Sequence, residues 1–377
     1  MSTFQSLITM LNEVPSCGEK SQIVAALLNS VKSAKLTDED AGALSAFVFA
    51  EIGRLFTLID NAGCYKDKCE LFDYEDKLLG LVMAIYPSAD KIPAEKLETV
   101  KQMVELVNKE RYLESAVDHL FEADAIEEND VQILLHIAST VKDEYQRGQL
   151  FFGLLNYKEQ FKKLSGVSKQ AIGGFIASEM ERCLQEKTAI DEDKANNLEV
   201  MCDVCQYFMN DAIVTSLYEI LKLGRNHVNV YAIATLMSAK QSIPQATVDA
   251  LARDLEYADM TYGFLERYGQ TALFPSELSE PEYLAKSDLV HWLTFPTELG
   301  KAPDAIEYLG KTKVKREVFY VFRFRSDSDN LGDDLKNKWL IGWSSNEGGT
   351  FSNFDEYGAY EQKTPEKTVK YIKKKLL

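Results

Sequence analysis

Four of the nine prolines, Pro275, Pro281, Pro296 and Pro303, fall between Phe274 and Leu309. Proline fixes φ and removes a backbone donor, so a stretch this dense in it is punctuated rather than one periodic element. On its N-terminal side the pattern is helical throughout. On its C-terminal side the texture changes to short β-branched and aromatic runs. The stretch therefore reads as a joint between two unlike parts.

The body before the joint repeats one small element. Lys35-Leu36-Thr37-Asp38-Glu39 is echoed at Lys91–Glu95, Ala125–Asn129, Ala189–Asp193 and Ser242–Gln245. Each copy places Leu or Ile before a Pro, Thr or acidic residue, and a helical pattern follows. Thr and Asp cap free N–H groups, proline fits the first turn, and acidic side chains complement the positive end of the helix dipole. The spacing between copies is irregular, as in an array of helix pairs with variable loops. Apolar periodicity predicts helices over Tyr145–Phe161, Gln170–Leu184, Asn197–Met209, Ala212–Leu223, Val228–Ala239 and Gln245–Tyr268. Gly224 and Gly269 stand as C-terminal stops. The pair Gly173-Gly174 offers a place for close backbone approach.

After Gly310 the run Glu317–Arg325 alternates, with Val318, Tyr320, Phe322 and Phe324 on one face. Phe319, Val321, Arg323 and Arg325 form the other. Trp339–Trp343 predicts a second strand and Tyr357–Glu361 a third. Thr364-Pro365 opens a terminal helix.

Charge is uneven. Residues 301–377 hold 15 basic and 12 acidic side chains, which leaves 27 basic and 47 acidic in 1–300, or −20. An acidic body repels phosphate backbones, so nucleic acid is not an expected partner and a basic protein is. No apolar run approaches the roughly 18–20 residues that span a bilayer. The N-terminus lacks the basic region of a signal peptide, and six cysteines are too few for a disulfide scaffold. These features point to the cytoplasm and away from membranes.

Candidate chemistry is sparse. Cys202 and Cys205 have metal-ligand spacing, with Cys64 and Cys69 as a conceivable second pair. Cys202 and Cys205, however, lie within an apolar helical run, which favours core packing. His119, His136, His227 and His291 are scattered and form no metal motif. The acidic clusters at 38–40, 127–130 and 191–193 are explained by helix starts. Asn346–Gly349 reads as a turn and not as a phosphate loop. No catalytic, cofactor-binding or metal-binding residue is assigned. Candidate contacts to a ligand or partner are His291 and Trp292 in the joint, and Arg323, Arg325, Trp339 and Trp343 in the C-terminal module.

Phe274-Pro275, Ser287-Asp-Leu-Val290, Trp292-Leu293, Pro296-Thr-Glu-Leu-Gly300 and Pro303-Asp304 resemble a segment of bacterial HEAT-like helical-repeat proteins of unassigned function. Phe319–Arg325 and Trp339–Gly342 resemble the short β-containing region that follows it there. The resemblance implies a mainly α chain: a HEAT-like α-solenoid over 1–273, a capping joint over 274–309, and a small α+β module over 310–377. The expected function is a non-enzymatic protein–protein interaction scaffold or adaptor with an acidic surface. Two alternatives stand beside it: a regulatory or immunity-type protein capturing a basic partner, and a small-ligand binder using the C-terminal aromatics. If the module caps the array, deleting residues 301–377 lowers the melting temperature of the helical body or makes it aggregate. Unchanged melting and solubility would reject the capping role.

Overall fold

The structure is a computed structural model. It describes residues 17–33, 128–140, 144–185, 190–345, 350–352 and 365–376, with single helical positions within 9–13, 42–54 and 71–81. Several sequence expectations lie outside the described residues. These are the helix starts near 35–39 and 91–95, Cys64, Cys69, His119, the turn 346–349 and the strand at 357–361. What is described is mainly helical with a small antiparallel sheet near the C-terminus. The chain divides into two compact units, Met1–Ser216 and Leu217–Leu377.

In the first unit the helices of described extent are α1 (Cys17–Ser33), α2 (Glu128–Thr140), α3 (Glu144–Leu155), α4 (Lys158–Phe161), α5 (Gly166–Gln185) and α6 (Glu192–Val204). Helix α6 starts as its sequence predicts: the Asp191 side chain accepts a hydrogen bond from the Lys194 N–H. α2 packs on α5, and both α3 and α5 pack on α6. Gly173 of α5 makes the close approach that its sequence suggested. A Cβ there would stand 2.4 Å from the Phe208 carbonyl oxygen. A polar network ties α3, α5 and α6 together. Glu179 accepts from Arg147 and from Arg182 Nε at 3.0 Å. Arg182 also donates to Glu144 Oε1 at 2.7 Å, and Asn197 Nδ2 donates to the same oxygen at 3.0 Å. Tyr145–Phe161 is two helices, α3 and α4, and not one.

Helix α7 (Asp211–Leu221) spans the division between the units. The second unit continues with α8 (Asn226–Ser238), α9 (Gln245–Arg253), α10 (Ala258–Arg267) and α11 (Pro281–Thr294). α8 and α9 pack on each other and on α10, and α10 packs on α11. Gly224 and Gly269 both adopt positive φ, as C-terminal stops do. The single helix expected over Gln245–Tyr268 is broken after Arg253. Asp254 is extended there. Its Oδ1 accepts from the Glu256 N–H, and its Oδ2 accepts from Asn226 Nδ2 at 2.7 Å. A side chain that satisfies local backbone in this way competes with the helix ladder.

The sheet follows: β1 (Ala305–Val314), β2 (Glu317–Arg325), β3 (Leu340–Ser344) and β4 (Phe351–Ser352), antiparallel and in that order. The first strand begins at Ala305, five residues before the change of texture read from the sequence. The alternation in β2 is as the sequence has it, and both faces bury core. On one face Phe322, Phe324 and Leu340 pack against Ala285, Leu289 and Leu293 of α11. On the other, Phe319, Val321, Ile341 and Trp343 pack with Leu309 and with Val369 of the terminal helix α12 (Pro365–Leu376).

The Pro296–Gly300 segment closes α11 and locks it to the sheet. The Leu299 N–H donates to the Leu293 carbonyl at 3.0 Å, and the Gly300 N–H to Phe295. Asn330 Nδ2 donates to the carbonyls of Pro296 (2.9 Å) and Glu298 (2.8 Å). The joint is thus part of the module that carries the sheet. Its aromatic residues divide: Leu293 is fully buried, whereas Trp292 is 36% and Phe295 45% exposed. Trp292 and Phe295 therefore stand outside the core that Leu293 joins. The helix stripe Ala285–Leu289–Leu293 faces the sheet, and residue 292 falls off that stripe.

At Gly342 the helix and sheet touch most closely. A Cβ there would lie 2.9 Å from both terminal methyls of Leu289 and 3.2 Å from Phe324. Leu289 and Phe324 are fully buried and have no room to retreat. Gly342→Ala should therefore cost about 1–3 kcal/mol, and Leu289→Ala about 2–5 kcal/mol. In urea titrations the double variant should lose less than the sum of the two, because the cavity and the added methyl offset one another.

Candidate functional site

The six candidate contact residues do not form one site. Trp343 is 4% exposed and belongs to the core beneath α12. Trp339 lies under two guanidinium groups, with Arg323 4.3 Å and Arg325 5.4 Å from its ring centre. Arg323 is already neutralised, since its Nε and Nη2 both reach Glu307 Oε2. This cluster is a surface cation–π stack on the sheet. His291, on α11, meets Tyr257 and Phe295 edge-on, and its Nδ1 is buried with no hydrogen-bond partner among the described residues. Trp292 packs edge-on against Phe295.

Cys202 and Cys205 are fully buried, and burial pushes both thiols up, as suits core residues. No group of three or more His, Cys, Asp or Glu residues among the described residues is placed to hold a metal ion. No helix among them is long and apolar enough to cross a membrane.

The concave feature of the second unit lies elsewhere. A groove of about 730 Å³ opens between α10, the start of α11 and the β1–β2 hairpin. Its geometry follows from helical spacing. Asp259, Tyr262, Gly263 and Glu266 fall at i, i+3, i+4 and i+7 and present one face of α10 to it. The opposite face of α10, Ala258, Thr261 and Leu265, is buried. Val318 and Tyr320 form the far wall. They continue the Phe322–Phe324 face of β2 towards the hairpin, with Leu284 and Pro281 of α11 completing the lining. Arg267, Glu266 and Arg316 are exposed and stand at the rim, whereas Asp259 is partly buried. None of the six residues singled out from sequence lines this groove.

Asp259 is the unusual group. It stands in the first turn of α10, and its backbone N–H donates to Ser287 Oγ on α11 at 2.9 Å. Burial first, and then the nearby Asp288 carboxylate, push its carboxyl up to about 7. Asp288 is held in place by two hydroxyls, Ser344 at 2.5 Å and Thr350. No ion pair joins Asp259 to a cation among the described residues. Sequence gave no sign of this residue. It sits within what reads as one continuous helix, which in the structure is broken after Arg253.

No family model matches the chain, and neither curated proteins nor solved structures yield a match.

The raised Asp259 predicts a pH-dependent stability. An acid whose folded-state value lies above its unfolded value near 4 leaves stability intact at low pH and removes it as pH rises towards 7. Asp259→Asn should therefore raise the melting temperature at about pH 8 and leave it nearly unchanged at about pH 4. Equal effects at both pH values would show that Asp259 is not a strained acid.

Proposed function

We propose that the protein is a non-catalytic binding protein, and that the groove between α10 and the β1–β2 hairpin is where it takes its partner. The groove itself carries the reading. Its volume of about 730 Å³ falls within the range of roughly 300–1,000 Å³ typical of ligand sites. Its walls are aromatic and aliphatic, through Tyr262, Phe264, Tyr320, Val318, Leu284 and Pro281, with charged groups at the floor and rim. Recognition surfaces combine these same parts: apolar area for affinity and a few polar groups for orientation.

The wider architecture we propose is a HEAT-like α-solenoid with a C-terminal α+β module, akin to bacterial helical-repeat proteins and working in the cytoplasm. The sequential packing of α8, α9, α10 and α11 supports it, as do the recurrent helix starts. The excess of acid over base in 1–300 supports a basic protein partner. The alternative of a small ligand held by Arg323, Arg325 and Trp339 ranks lower, because Glu307 already satisfies Arg323.

Gly263 provides a clean test. It is exposed on the groove face of α10, and a Cβ there meets nothing within 4 Å. Gly263→Leu should fill the groove at no folding cost, and the helix gains from losing a glycine. A photo-crosslinking side chain at Val318 should capture a partner in the native lysate, and Gly263→Leu should abolish that capture. The same crosslinker at exposed Lys311 on β1 is the control. Capture that is equal at both positions, or indifferent to Gly263→Leu, would refute the groove as the binding face.

A further inference from the structure

The groove is as polar as it is apolar, and its charged groups are of two kinds. Its rim charges, Glu266, Arg267 and Arg316, are exposed and solvated. Water already screens such groups, and they add little to selectivity. The charge at the floor is different. Asp259 is partly buried beside a second carboxylate, Asp288, and no cation pairs with it among the described residues. Asp288 cannot turn away to relieve the repulsion, because Ser344 and Thr350 hold it from β3 and from the residue before β4. Backbone reinforces the placement, since Ser287 fixes the Asp259 end of α10. The arrangement is a fixed pair of acids with no counter-charge among the described residues.

The walls favour the same kind of visitor. Tyr262, Phe264 and Tyr320 line the groove, and aromatic faces attract cations. Phe264 already shows the behaviour: the Arg267 guanidinium lies 5.3 Å from its ring centre. A carboxylate among aromatic rings is a general means of recognising ammonium and guanidinium groups.

We propose that the floor of this groove is a subsite for an organic cation, occupied by a lysine or arginine side chain that a partner polypeptide presents to Asp259. The inference rests on the groove being the binding face. A polypeptide fits better than a free amine on two counts. The open groove leaves room for flanking residues to meet Arg267, Glu266 and Arg316 at the rim. The charge of −20 over residues 1–300 draws in a basic protein chain from a distance.

Asp259 holds a proton up to about pH 7, through burial and then Asp288. A cation binds the ionised form, so its arrival releases that proton below this pH. Along α10 the other charges are Glu266 and Arg267, about two turns away. Arg316 and Tyr320 face the groove from the hairpin, and Asp288 faces Asp259 from α11. Affinity should rise about tenfold per pH unit up to about pH 7 and then level off.

The test uses the full chain and blocked tripeptides of the form Gly-X-Gly, with X as Lys, Arg, norleucine or Glu. Binding is read from chemical-shift changes at groove residues across a pH series. The Lys and Arg peptides should bind about tenfold or more tightly than norleucine, as a charge-assisted contact requires. They should also bind more tightly than butylamine. Asp259→Asn should abolish the preference for a cation, and a melting curve recorded on the same sample checks that it folds. Asp288→Asn keeps an acceptor for Ser344 and Thr350 but removes the repelling charge. It should retain cation binding and move the pH bend downward. Equal binding of Lys and norleucine peptides, tighter binding of the Glu peptide, or a preference that survives Asp259→Asn would overturn the cation subsite and leave the groove standing. Butylamine binding as tightly as the Lys peptide would overturn the polypeptide occupant. Binding of every peptide unaffected by Gly263→Leu, or no binding at groove residues at all, would sink the groove reading and the subsite together.

Discussion

The fit of Leu289 over Gly342 is the contact on which the second unit depends. A helix can lie on a sheet this closely only where the sheet residue beneath it has no side chain, and β3 supplies one at that point. The fit fixes the rotation of α11 about its axis. That rotation buries Ala285 and Leu293 and leaves Trp292 outside. It also places Ser287 and Asp288 against α10 and β3, since both lie within one turn of Leu289. The groove and its acidic floor are therefore consequences of core packing. A change at Gly342 acts on the floor without touching it.

The first unit is fastened differently. Two acids and two arginines, Glu144, Glu179, Arg147 and Arg182, link α3 and α5, and Asn197 extends the link to α6. Each carboxylate has more than one donor, so none is left as an isolated buried charge, which would cost several kcal/mol. Lys20, Glu51 and Tyr74 repeat the pattern: Glu51 Oε2 accepts from Lys20 Nζ and from the Tyr74 hydroxyl, both at 3.1 Å. Asp259 is the contrast. No cation pairs with it among the described residues, and that difference sets it apart from the structural acids of the first unit.

Local signals were legible in the sequence where one residue decides the outcome. Asp191 as a cap, Gly224 and Gly269 as stops, and the alternation of β2 all appear in the structure at the expected positions. Cys202 and Cys205 lie in the core that their apolar neighbours implied. Features set by distant partners were not legible. At the helix break Asp254 turns one oxygen to the nearby Glu256 N–H, but its other oxygen is held by Asn226, 28 residues away. The Pro296–Gly300 segment reads as part of a capping joint, and its carbonyls are held by Asn330, in a loop with no periodicity of its own. Trp339 and Trp343 looked alike in sequence. One lies beneath arginines and the other in a core, because the register of β3 assigns them different neighbours.

The sheet also bears on pairing with other chains through its edges. An edge strand exposes unpaired backbone groups and invites another chain to add a strand. β1 is one edge, and it carries a register shift between Tyr308 and Gly310, with exposed Lys311 and Lys313 beyond it. A bulge twists the ladder out of line, and lysines resist burial against a neighbouring strand. At the other edge the described part of β4 comprises Phe351 and Ser352. The β1 border is thus protected against amyloid-like growth.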